Sequence, residues 1–472
     1  MNDTKPIPWN TSDILAATGG ELLSGTGDRV FGSISIDSRA IGRDAIFVAI
    51  AGETHDGHTF VENVLKDGIK GVLVEKAKVG ATLFRTSDFG DSTIIGVADT
   101  IRALGDLAAY NRNRVQVPII ALTGSNGKTS TRTMLTHITG LKYMTLSTAG
   151  NFNNEIGLPL TLLRLQRNHN LAVLELGMNR PGEIARLAEI CRPDIGMITN
   201  VAPAHLEGLR SVEGVLRAKG ELLEKLNRGG TTVLNADDRN VLALAEDAPG
   251  DVLLFGTSQS AAVRASRIRN MGDSVSFLLE VPADAIEVVL ETPGLFMVSN
   301  ALAAAAAAYL MRIPLHDIKK GLERFKPVNG RLHIRKLANG ARIIDDTYNA
   351  NPGSVKAALD TLKQTGQDDR RVAVLGDMLE LGSASAGLHR EVGYHAATAG
   401  LQRLYLTGEF ARDTAQGAID GGMAAGKIVA GSLSIITEQL IARTGPRHCV
   451  LIKGSRGMRM EQIVKKLIDT FG

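Results

Sequence analysis

The sequence predicts an α/β protein built from three domains, and three observations support this. Its 472 residues correspond to about three domains at roughly 150 residues each. Short apolar runs of strand length alternate with helical patterns, which is typical of parallel sheets covered by helices on both faces. Hydrophobic residues make up 44% of the chain, which excludes a mostly disordered protein. We place the domains at residues 1–115, 116–327 and 328–472.

Each predicted domain has its own strand-like runs. In the first domain they cover residues 33–36, 45–50, 71–74 and 93–97, and a helical pattern over 100–111 follows. In the second they cover 117–122, 171–174, 195–198 and 231–234, and in the third 342–344, 371–375, 404–406 and 449–452. The alanine-rich run 301–311 predicts a buried helix, because alanine has the highest helix propensity and permits close packing.

Composition excludes several classes of protein. With 53 basic and 50 acidic residues the net charge is +3, whereas nucleic-acid binders usually concentrate basic residues against phosphates. Two cysteines, Cys191 and Cys449, are too few for a disulfide framework and favour a reducing cytoplasm. The N-terminus does not read as a secretion signal, and the longest apolar run, of eleven residues, is too short to span a bilayer. We therefore expect a cytoplasmic protein that binds no nucleic acid and does not insert into membranes.

The strongest local signal is a glycine-rich segment between a strand-like run and a helical pattern. Backbone N–H groups in such a turn can bind phosphate oxygens, and the helix N-terminus adds a positive dipole end. Lys128 would reach the β- and γ-phosphates, and Thr129 would offer its hydroxyl to Mg²⁺. Leu122 stands where the full phosphate-loop pattern has its first glycine. The predicted ATP-binding segment is Thr123, Gly124, Ser125, Asn126, Gly127, Lys128, Thr129 and Ser130.

Two further residues could take part in metal chemistry, and one lysine lies in a nearby helical pattern. Glu175 ends an apolar strand after the phosphate loop, so it is a candidate Mg²⁺ ligand, although strand-end glutamates are often plain surface residues. His205 follows the next strand, where loops point into the ligand crevice, but a lone loop histidine is more often solvated. Lys219 lies in a helical pattern, and on its own it would be expected on a solvated helix face.

Other polar segments follow strands of the second and third domains. Open α/β sheets bind ligands at the carboxyl ends of their strands, so these segments predict one binding edge, although each could be ordinary loop chemistry. They are Asn300 before the alanine helix, Arg331, and residues 345–352, 376–382 and 453–457. Signature motifs of zinc proteases, α/β-hydrolases, dinucleotide-binding dehydrogenases and GTPases are absent from the sequence.

Several ordered motifs together resemble one known family. The phosphate loop resembles the T-G-[ST]-x-G-K-T loop of the Mur ligases, a superfamily that also covers folylpolyglutamate synthetases. The resemblance extends over nearly the whole chain, through residues 37–39, 47–60, 148–159, 175–179, 204–207, 346–352 and 376–382.

The resemblance implies an N-terminal UDP-binding domain, a central phosphate-loop ATPase domain with a parallel sheet, and a C-terminal Rossmann-like domain. It also implies a monomer whose partners are UDP-N-acetylmuramoyl-tripeptide (UDP-MurNAc-tripeptide) and D-alanyl-D-alanine. ATP would drive their amide ligation through an acyl phosphate, giving a peptidoglycan precursor.

The resemblance also implies roles for individual residues. Lys128 would contact phosphate, Thr129, Glu175 and His205 would hold Mg²⁺, and Lys219 would be carbamylated and help to hold a second Mg²⁺. Asn300 would contact adenine, and Arg331 and Asp346 the ribose and phosphates. Implied substrate-binding residues are Ser38, Arg39, Asp56 and His58 on the uridine side, and Thr148, Asn154, Tyr348, Asn349, Asn351 and Lys453 elsewhere.

One segment departs from the family pattern. Phe296 and Met297 stand where the family often has His and Asn, so two polar contacts near the nucleotide are in doubt. Phe296 could stack on a base and Met297 could pack beside it, or both could be core residues. Two other functions stay open from sequence: another Mur-type or folylpolyglutamate-type ligase, and a phosphate-loop regulatory ATPase without ligase activity.

Overall fold

The computed structural model describes residues 7–52, 55–79, 90–365 and 370–472. In these ranges the chain forms three separate sheets and one two-stranded pair. Each larger sheet lies within one of the three predicted domains, and the mixed α/β class is confirmed. The boundaries at residues 115 and 327 stay predictions. Residues 53 and 54 of the family-like segment 47–60 lie outside the described ranges.

The N-terminal sheet has five strands in the order β2-β7-β6-β5-β4. Only β2 is antiparallel to its neighbour, and the small pair β1–β3 lies outside this sheet. The strands are β1 (Trp9–Asn10), β2 (Glu21–Ser24), β3 (Val30–Phe31), β4 (Ser33–Ser35), β5 (Ala45–Val48), β6 (Gly71–Glu75) and β7 (Thr93–Val97). The helices are α1 (Thr11–Thr18), α2 (Val61–Lys66) and α3 (Thr100–Arg114).

The central sheet has nine strands in the order β16-β15-β14-β13-β12-β11-β8-β10-β9. They are β8 (Ile119–Thr123), β9 (Thr145–Ser147), β10 (Leu171–Glu175), β11 (Ile195–Ile198), β12 (Thr231–Asn235), β13 (Asp251–Gly256), β14 (Val263–Asn270), β15 (Val275–Val281) and β16 (Asp284–Leu290). The helices are α4 (Lys128–Thr139), α5 (Gly157–Leu162), α6 (Glu183–Cys191), α7 (Leu206–Leu209), α8 (Val212–Glu224), α9 (Arg239–Ala243), α10 (Phe296–Leu310) and α11 (Leu315–Glu323).

Strands β8 to β14 run parallel, whereas β14, β15 and β16 form an antiparallel extension. This extension is a difference from the expected purely parallel sheet. Its strands mix buried and exposed positions, as in β14, because an antiparallel sheet can leave part of its surface in water.

The parallel part of the central sheet is buried on both faces. Ile120 and Leu122 of β8 belong to one core cluster with α10, whereas their neighbours Ile119 and Ala121 belong to the cluster on the opposite face. Strand side chains alternate between faces, so a continuous apolar run serves both clusters. The predicted alanine helix is confirmed as α10, whose alanines at positions 303–308 are fully buried.

The C-terminal sheet has six strands in the order β17-β18-β22-β19-β20-β21, with only β17 antiparallel. The strands are β17 (His333–Lys336), β18 (Arg342–Asp346), β19 (Arg370–Leu375), β20 (Arg403–Leu406), β21 (Ile428–Ala430) and β22 (His448–Lys453). The helices are α12 (Pro352–Gln364), α13 (Ser385–Ala397), α14 (Ala411–Asp420), α15 (Leu433–Arg443) and α16 (Glu461–Phe471).

Strand order places the functional loops together. β8 lies between β10 and β11, so the phosphate loop, Glu175 and the His205 loop leave adjacent carboxyl ends of the central sheet. In the C-terminal sheet β22 lies between β18 and β19, and the loops after all three are the polar segments singled out in the sequence. None of the helices in the described ranges is long and apolar enough to cross a bilayer.

Candidate active site

A cleft of about 890 Å³ lies between the central and C-terminal domains. Its central-domain wall includes the phosphate loop and Glu175, and its C-terminal wall includes loops after β18 and β22. Ile101 of α3 contributes from the N-terminal domain. The predicted residues that line it are Ser125, Asn126, Gly127, Lys128, Thr129, Ser130, Asn154, Glu175, His205, Asn300, Arg331, Asp346, Tyr348, Asn349, Asn351 and Lys453.

Two glycines of the phosphate loop are required by its geometry. Gly127 precedes α4 with φ +80°, and a Cβ there would lie 2.1 Å from Asn300 Oδ1. Gly124 has φ +156°, and a Cβ there would lie 1.9 Å from Thr199 Oγ1. Because only glycine tolerates both the backbone and the contacts, this loop lies tightly against its neighbours.

Asn200, which follows β11, supports the phosphate loop. Its side-chain oxygen accepts from the Asn126 backbone N–H at 2.8 Å, and its backbone oxygen accepts from Ser125 at 3.0 Å. Sequence reasoning missed Asn200, although it lies in the polar segment after a strand end. Thr123, the last residue of β8, and Gly124 belong to the predicted set but do not line the cleft.

Lys128 folds back along the loop, and its Nζ donates to Gly124 O at 2.6 Å. Its pKa is lowered from the ordinary value, mainly by burial, while the charge of Glu175 opposes the shift and that of Arg331 adds to it. A poorly solvated cation beside a second cation is electrostatically suited to bind an anion.

Glu175 is the centre of a buried polar cluster. It is 2% exposed and accepts from Thr129 Oγ1 at 3.0 Å and from Asn153 Nδ2 at 2.9 Å. Arg132 Nε lies 3.2 Å from the same carboxylate, and Thr148 Oγ1 accepts from the Glu175 backbone at 3.0 Å. Thr148 therefore positions Glu175 and does not line the cleft. Arg132, one helical turn after Lys128, was missed.

His205 makes a contact across the two domains. Its backbone is left-handed, with φ +55°, and its Nδ1 lies 2.5 Å from Glu380 Oε2. The Glu207 backbone N–H donates to Glu380 O at 3.0 Å. The hydrogen bond from His205 lowers the pKa of Glu380. Glu380, in the segment 376–382, thus joins the C-terminal domain to a residue predicted to bind metal.

Lys219 of α8 is 1% exposed, so the expectation of a solvated helix face was wrong. Burial, aided by the charge of Lys128, lowers its pKa well below the ordinary value. No carboxylate pairs with it among the described residues. A buried lysine under these conditions favours the neutral amine.

Asn300 and the residues before it lie beside the phosphate loop. Asn300 is 5% exposed, and its Nδ2 meets Met297 Sδ at 3.4 Å. Phe296 and Met297 both line the cleft, and Phe296 also packs against the core cluster of the C-terminal domain. Phe296 therefore connects two domain cores as well as facing the cleft.

The C-terminal wall is held by a buried ion pair. Lys453 Nζ lies 2.5 Å from Asp346 Oδ2 and donates to Asn349 O at 2.9 Å. The other Asp346 oxygen accepts from the Leu332 backbone at 3.1 Å. Asn351 Nδ2 donates to Asn126 Oδ1 of the phosphate loop at 2.8 Å, which links the two walls directly.

Two arginines lie close to the ring of Tyr348 in the same wall. The guanidinium of Arg331 lies 4.1 Å from the ring centroid and that of Arg456 lies 5.7 Å from it. Both arginines line the cleft. Arg456 was missed as an individual residue, although the segment 453–457 was singled out.

The predicted uridine-side residues Ser38, Arg39, Asp56 and His58 lie in the N-terminal domain and do not line this cleft. Arg39 is exposed and pairs with Asp37 at 2.9 Å. The His58 ring is buried, with Nδ1 2.6 Å from Asp56 Oδ1 and Nε2 accepting from the Glu75 backbone at 3.0 Å. Both ring nitrogens of His58 are occupied within the domain.

The donor atoms at Thr129 and Glu175 are of the kind that Mg²⁺ prefers, a hydroxyl and a carboxylate. The described residues contain no cluster of three or more His, Cys, Asp or Glu side chains preassembled for a metal. A cation held by Thr129 and Glu175 would need phosphate oxygens and water as its remaining ligands, as is usual for Mg²⁺ in nucleotide sites.

Three family models match consecutive parts of the chain. The Mur ligase family, catalytic domain, matches residues 31–112, the Mur ligase middle domain 122–308, and the Mur ligase, glutamate ligase domain 330–456.

Full-length relatives agree with these matches. UDP-N-acetylmuramoyl-tripeptide–D-alanyl-D-alanine ligase of Escherichia coli is 37% identical over 98% of each chain. A MurF crystal structure from Acinetobacter baumannii has a TM-score of 0.89 at 33% identity, covering 98% of this chain and 100% of that one. MurF ligase from Thermotoga maritima, solved in complex with ADP, has a TM-score of 0.81 at 26% identity, covering 93% and 97%. Coverage of all three domains at this identity settles the family: the chain belongs to the Mur ligases.

Proposed function

We propose that this protein joins D-alanyl-D-alanine to UDP-MurNAc-tripeptide at the expense of ATP, giving UDP-MurNAc-pentapeptide for peptidoglycan synthesis. The Escherichia coli relative, which matches 98% of this chain, is named for this activity. The structural observation that supports the proposal most is the shared cleft, in which the Asn126–Asn351 hydrogen bond joins the phosphate loop to the C-terminal domain.

The proposed reaction has two chemical steps, activation of the carboxylate and attack by the amine. A carboxylate is a poor acyl donor, because its leaving group would be oxide. Attack of the tripeptide carboxylate on the γ-phosphorus of ATP releases ADP and gives an acyl phosphate, whose leaving group is phosphate. The amine of D-alanyl-D-alanine then attacks the acyl carbon, and the tetrahedral intermediate expels phosphate to form the amide.

Charge and water are the two obstacles to this reaction. The carboxylate and γ-phosphate repel each other, and Lys128 and Arg331 supply positive charge at the loop where they would meet. The C-terminal wall covers the loop through Asn351 and so limits access of water, which would otherwise hydrolyse the acyl phosphate.

Mg²⁺ fits the Thr129–Glu175 pair, and when bound it would neutralise charge on the β- and γ-phosphates. Arg132 and Asn153 fix the Glu175 carboxylate from other directions, so its orientation is set before any ligand arrives. His205 would serve a second Mg²⁺ with its Nε2, because Nδ1 is engaged by Glu380.

We also propose that Lys219 is carbamylated. The neutral amine attacks CO₂ and loses one proton, which leaves an anionic carbamate in place of a buried cation. Burial and the lowered pKa of Lys219 supply the neutral amine that this reaction needs. The resulting negative charge would face Lys128, the cation that depresses the pKa of Lys219.

The other proposed contacts are assigned by the position of each residue. Asn300 would contact adenine, and Arg331 the nucleotide phosphates. The Asp346–Lys453 ion pair would lie between the bound nucleotide and the bound dipeptide, with Tyr348, Asn349 and Asn351 around it. Asn154 would face the tripeptide, and Ser38, Arg39, Asp56 and His58 remain proposed for the uridine end.

Isotope transfer tests this chemistry. With ¹⁸O in the reacting carboxylate of the tripeptide, each turnover should place one ¹⁸O atom in the released phosphate, because that oxygen bridges carbon and phosphorus in the acyl phosphate. Phosphate free of ¹⁸O, with phosphorus NMR as the readout, would contradict carboxylate activation. A regulatory ATPase would also give unlabelled phosphate, and another ligase of the family would form a product without the dipeptide.

A further inference from the structure

Two cations of the cleft have no acidic partner among the described residues. The guanidiniums of Arg331 and Arg456 lie 4.1 and 5.7 Å from the centroid of the Tyr348 ring, and neither makes a hydrogen bond or ion pair with any of the described residues. Other cations of the cleft differ, since Lys453 is paired with Asp346 and Lys128 is bonded to a loop carbonyl. Two cations without acidic partners in a cleft indicate two anionic groups to be bound.

The two arginines face different parts of the site. Arg331 is close enough to Lys128 and Arg132 to lower the pKa of both, so it belongs to the phosphate side. Arg456 makes no such contribution and lies on the loop after β22. Arg331 therefore belongs with the cations of the phosphate loop, and Arg456 is available to a different anion.

The loop that presents Arg456 is firmly anchored. Ser455 Oγ donates to Ala350 O at 3.3 Å and accepts from the Leu379 backbone N–H at 2.8 Å. The Ser455 backbone N–H donates to Asp377 O at 3.0 Å. A Cβ on Gly457 would lie 2.9 Å from Leu379 Cδ1, so the turn after Arg456 packs closely on the neighbouring loop. A long side chain on a fixed loop can be aimed without ordering the backbone on binding.

On the proposed function, we infer that Arg456 binds the C-terminal carboxylate of the incoming dipeptide and selects substrates that have a free carboxylate there. The dipeptide has one anionic group, and its amine must reach the acyl carbon at the phosphate loop. An extended dipeptide spans about 7 Å, and the two guanidiniums lie 4.1 and 5.7 Å from the same Tyr348 ring. One dipeptide can therefore present its carboxylate to Arg456 while its amine lies near Arg331. A planar guanidinium matches a carboxylate with two parallel hydrogen bonds.

The test compares two amine substrates, D-alanyl-D-alanine and its C-terminal amide, which lacks the negative charge. Wild-type protein should use the amide about ten- to a hundredfold less efficiently in kcat/KM, because the amide loses a charged hydrogen-bonded pair. Arg456→Ala should raise the KM for the acid by a similar factor and leave the KM for ATP within about twofold of wild type. Its kcat/KM values for the acid and the amide should be equal. Arg456→Lys should retain part of the preference, and Arg412→Ala, an exposed arginine of α14, should retain all of it.

The outcomes separate the possible failures. Equal losses for acid and amide in Arg456→Ala, or a rise confined to the KM for ATP, would overturn the assignment of Arg456 while leaving the ligase intact. A wild-type enzyme that forms no dipeptide adduct with either substrate would overturn the proposed function, and the inference with it. Because the acid-to-amide ratio is measured within one protein preparation, partial misfolding of a variant does not alter it.

Discussion

At the residue scale, the site depends on buried charges that are held apart from solvent. Lys128 and Lys219 both have lowered pKa values, chiefly because of burial, and each is affected by a neighbouring cation. Glu175 is the nearest compensating charge for Lys128 and also binds Thr129. The positive charge of this cluster is therefore balanced only when anionic ligands bind. We expect single substitutions of its residues to lower activity.

Replacing Lys128 tests the charge at the phosphate loop. We expect Lys128→Ala to lower the ligation rate at least about a hundredfold, because it removes a fixed cation from the site of charge development. The measurement is the steady-state rate with all three substrates. Lys320→Ala, which removes an exposed lysine of α11, is the control and should stay near wild type. Near-normal turnover of Lys128→Ala would rule out the role of the loop.

Replacing Lys219 tests the carbamate. Lys219→Ala should be weakly active, and short carboxylates such as acetate or formate should partly restore its rate, because they can occupy the space of the carbamate with the same charge. Rates are measured against carboxylate concentration, with Lys128→Ala as a variant that should not be rescued. Failure of rescue at saturating acetate would count against carbamylation.

At the element scale, the N-cap residue of helix α12 connects the two walls of the cleft. Asn351 caps α12, with its side-chain oxygen accepting from Ser354 N at 2.9 Å. Its amide nitrogen reaches Asn126 of the phosphate loop. One side chain thus starts a helix of the C-terminal domain and contacts the nucleotide loop of the central domain.

Two substitutions separate these roles of Asn351. Asn351→Ser keeps a capping oxygen but loses the reach to Asn126, so the unfolding temperature should stay near wild type while ligation falls. Asn351→Ala loses both, and should also cost about 1 kcal/mol of stability. Thermal unfolding and ligation rates check this. Full activity of Asn351→Ser would show that the contact with Asn126 is dispensable.

The apolar strands were predictable from sequence because each is a continuous run that serves two cores. The antiparallel extension β14–β16 was not predicted, since its strands mix polar and apolar residues and lack such runs. The phosphate loop was predictable because its glycines and lysine are local in sequence. Glu380 and Arg456 could not be assigned individually, because their contacts form only where loops of the C-terminal domain meet residues distant in sequence.

At the scale of the whole molecule, the site exists only where domains meet. The His205–Glu380 and Asn126–Asn351 contacts cross from the central to the C-terminal domain, and Phe296 packs against cores of both. At the segment that departs from the family pattern, Phe296 therefore makes an apolar contact between the domains, whereas Met297 packs in the central core beside Asn300.

The most direct test is to measure phosphate release from ATP together with the mass of the product. The reaction contains UDP-MurNAc-tripeptide, with D-alanyl-D-alanine present, omitted, or replaced by L-amino acids. We predict that phosphate release requires both substrates and that the product is heavier than the tripeptide by one dipeptide residue. Phosphate release that is indifferent to either substrate, with no heavier product, would contradict the ligase function and leave a regulatory ATPase.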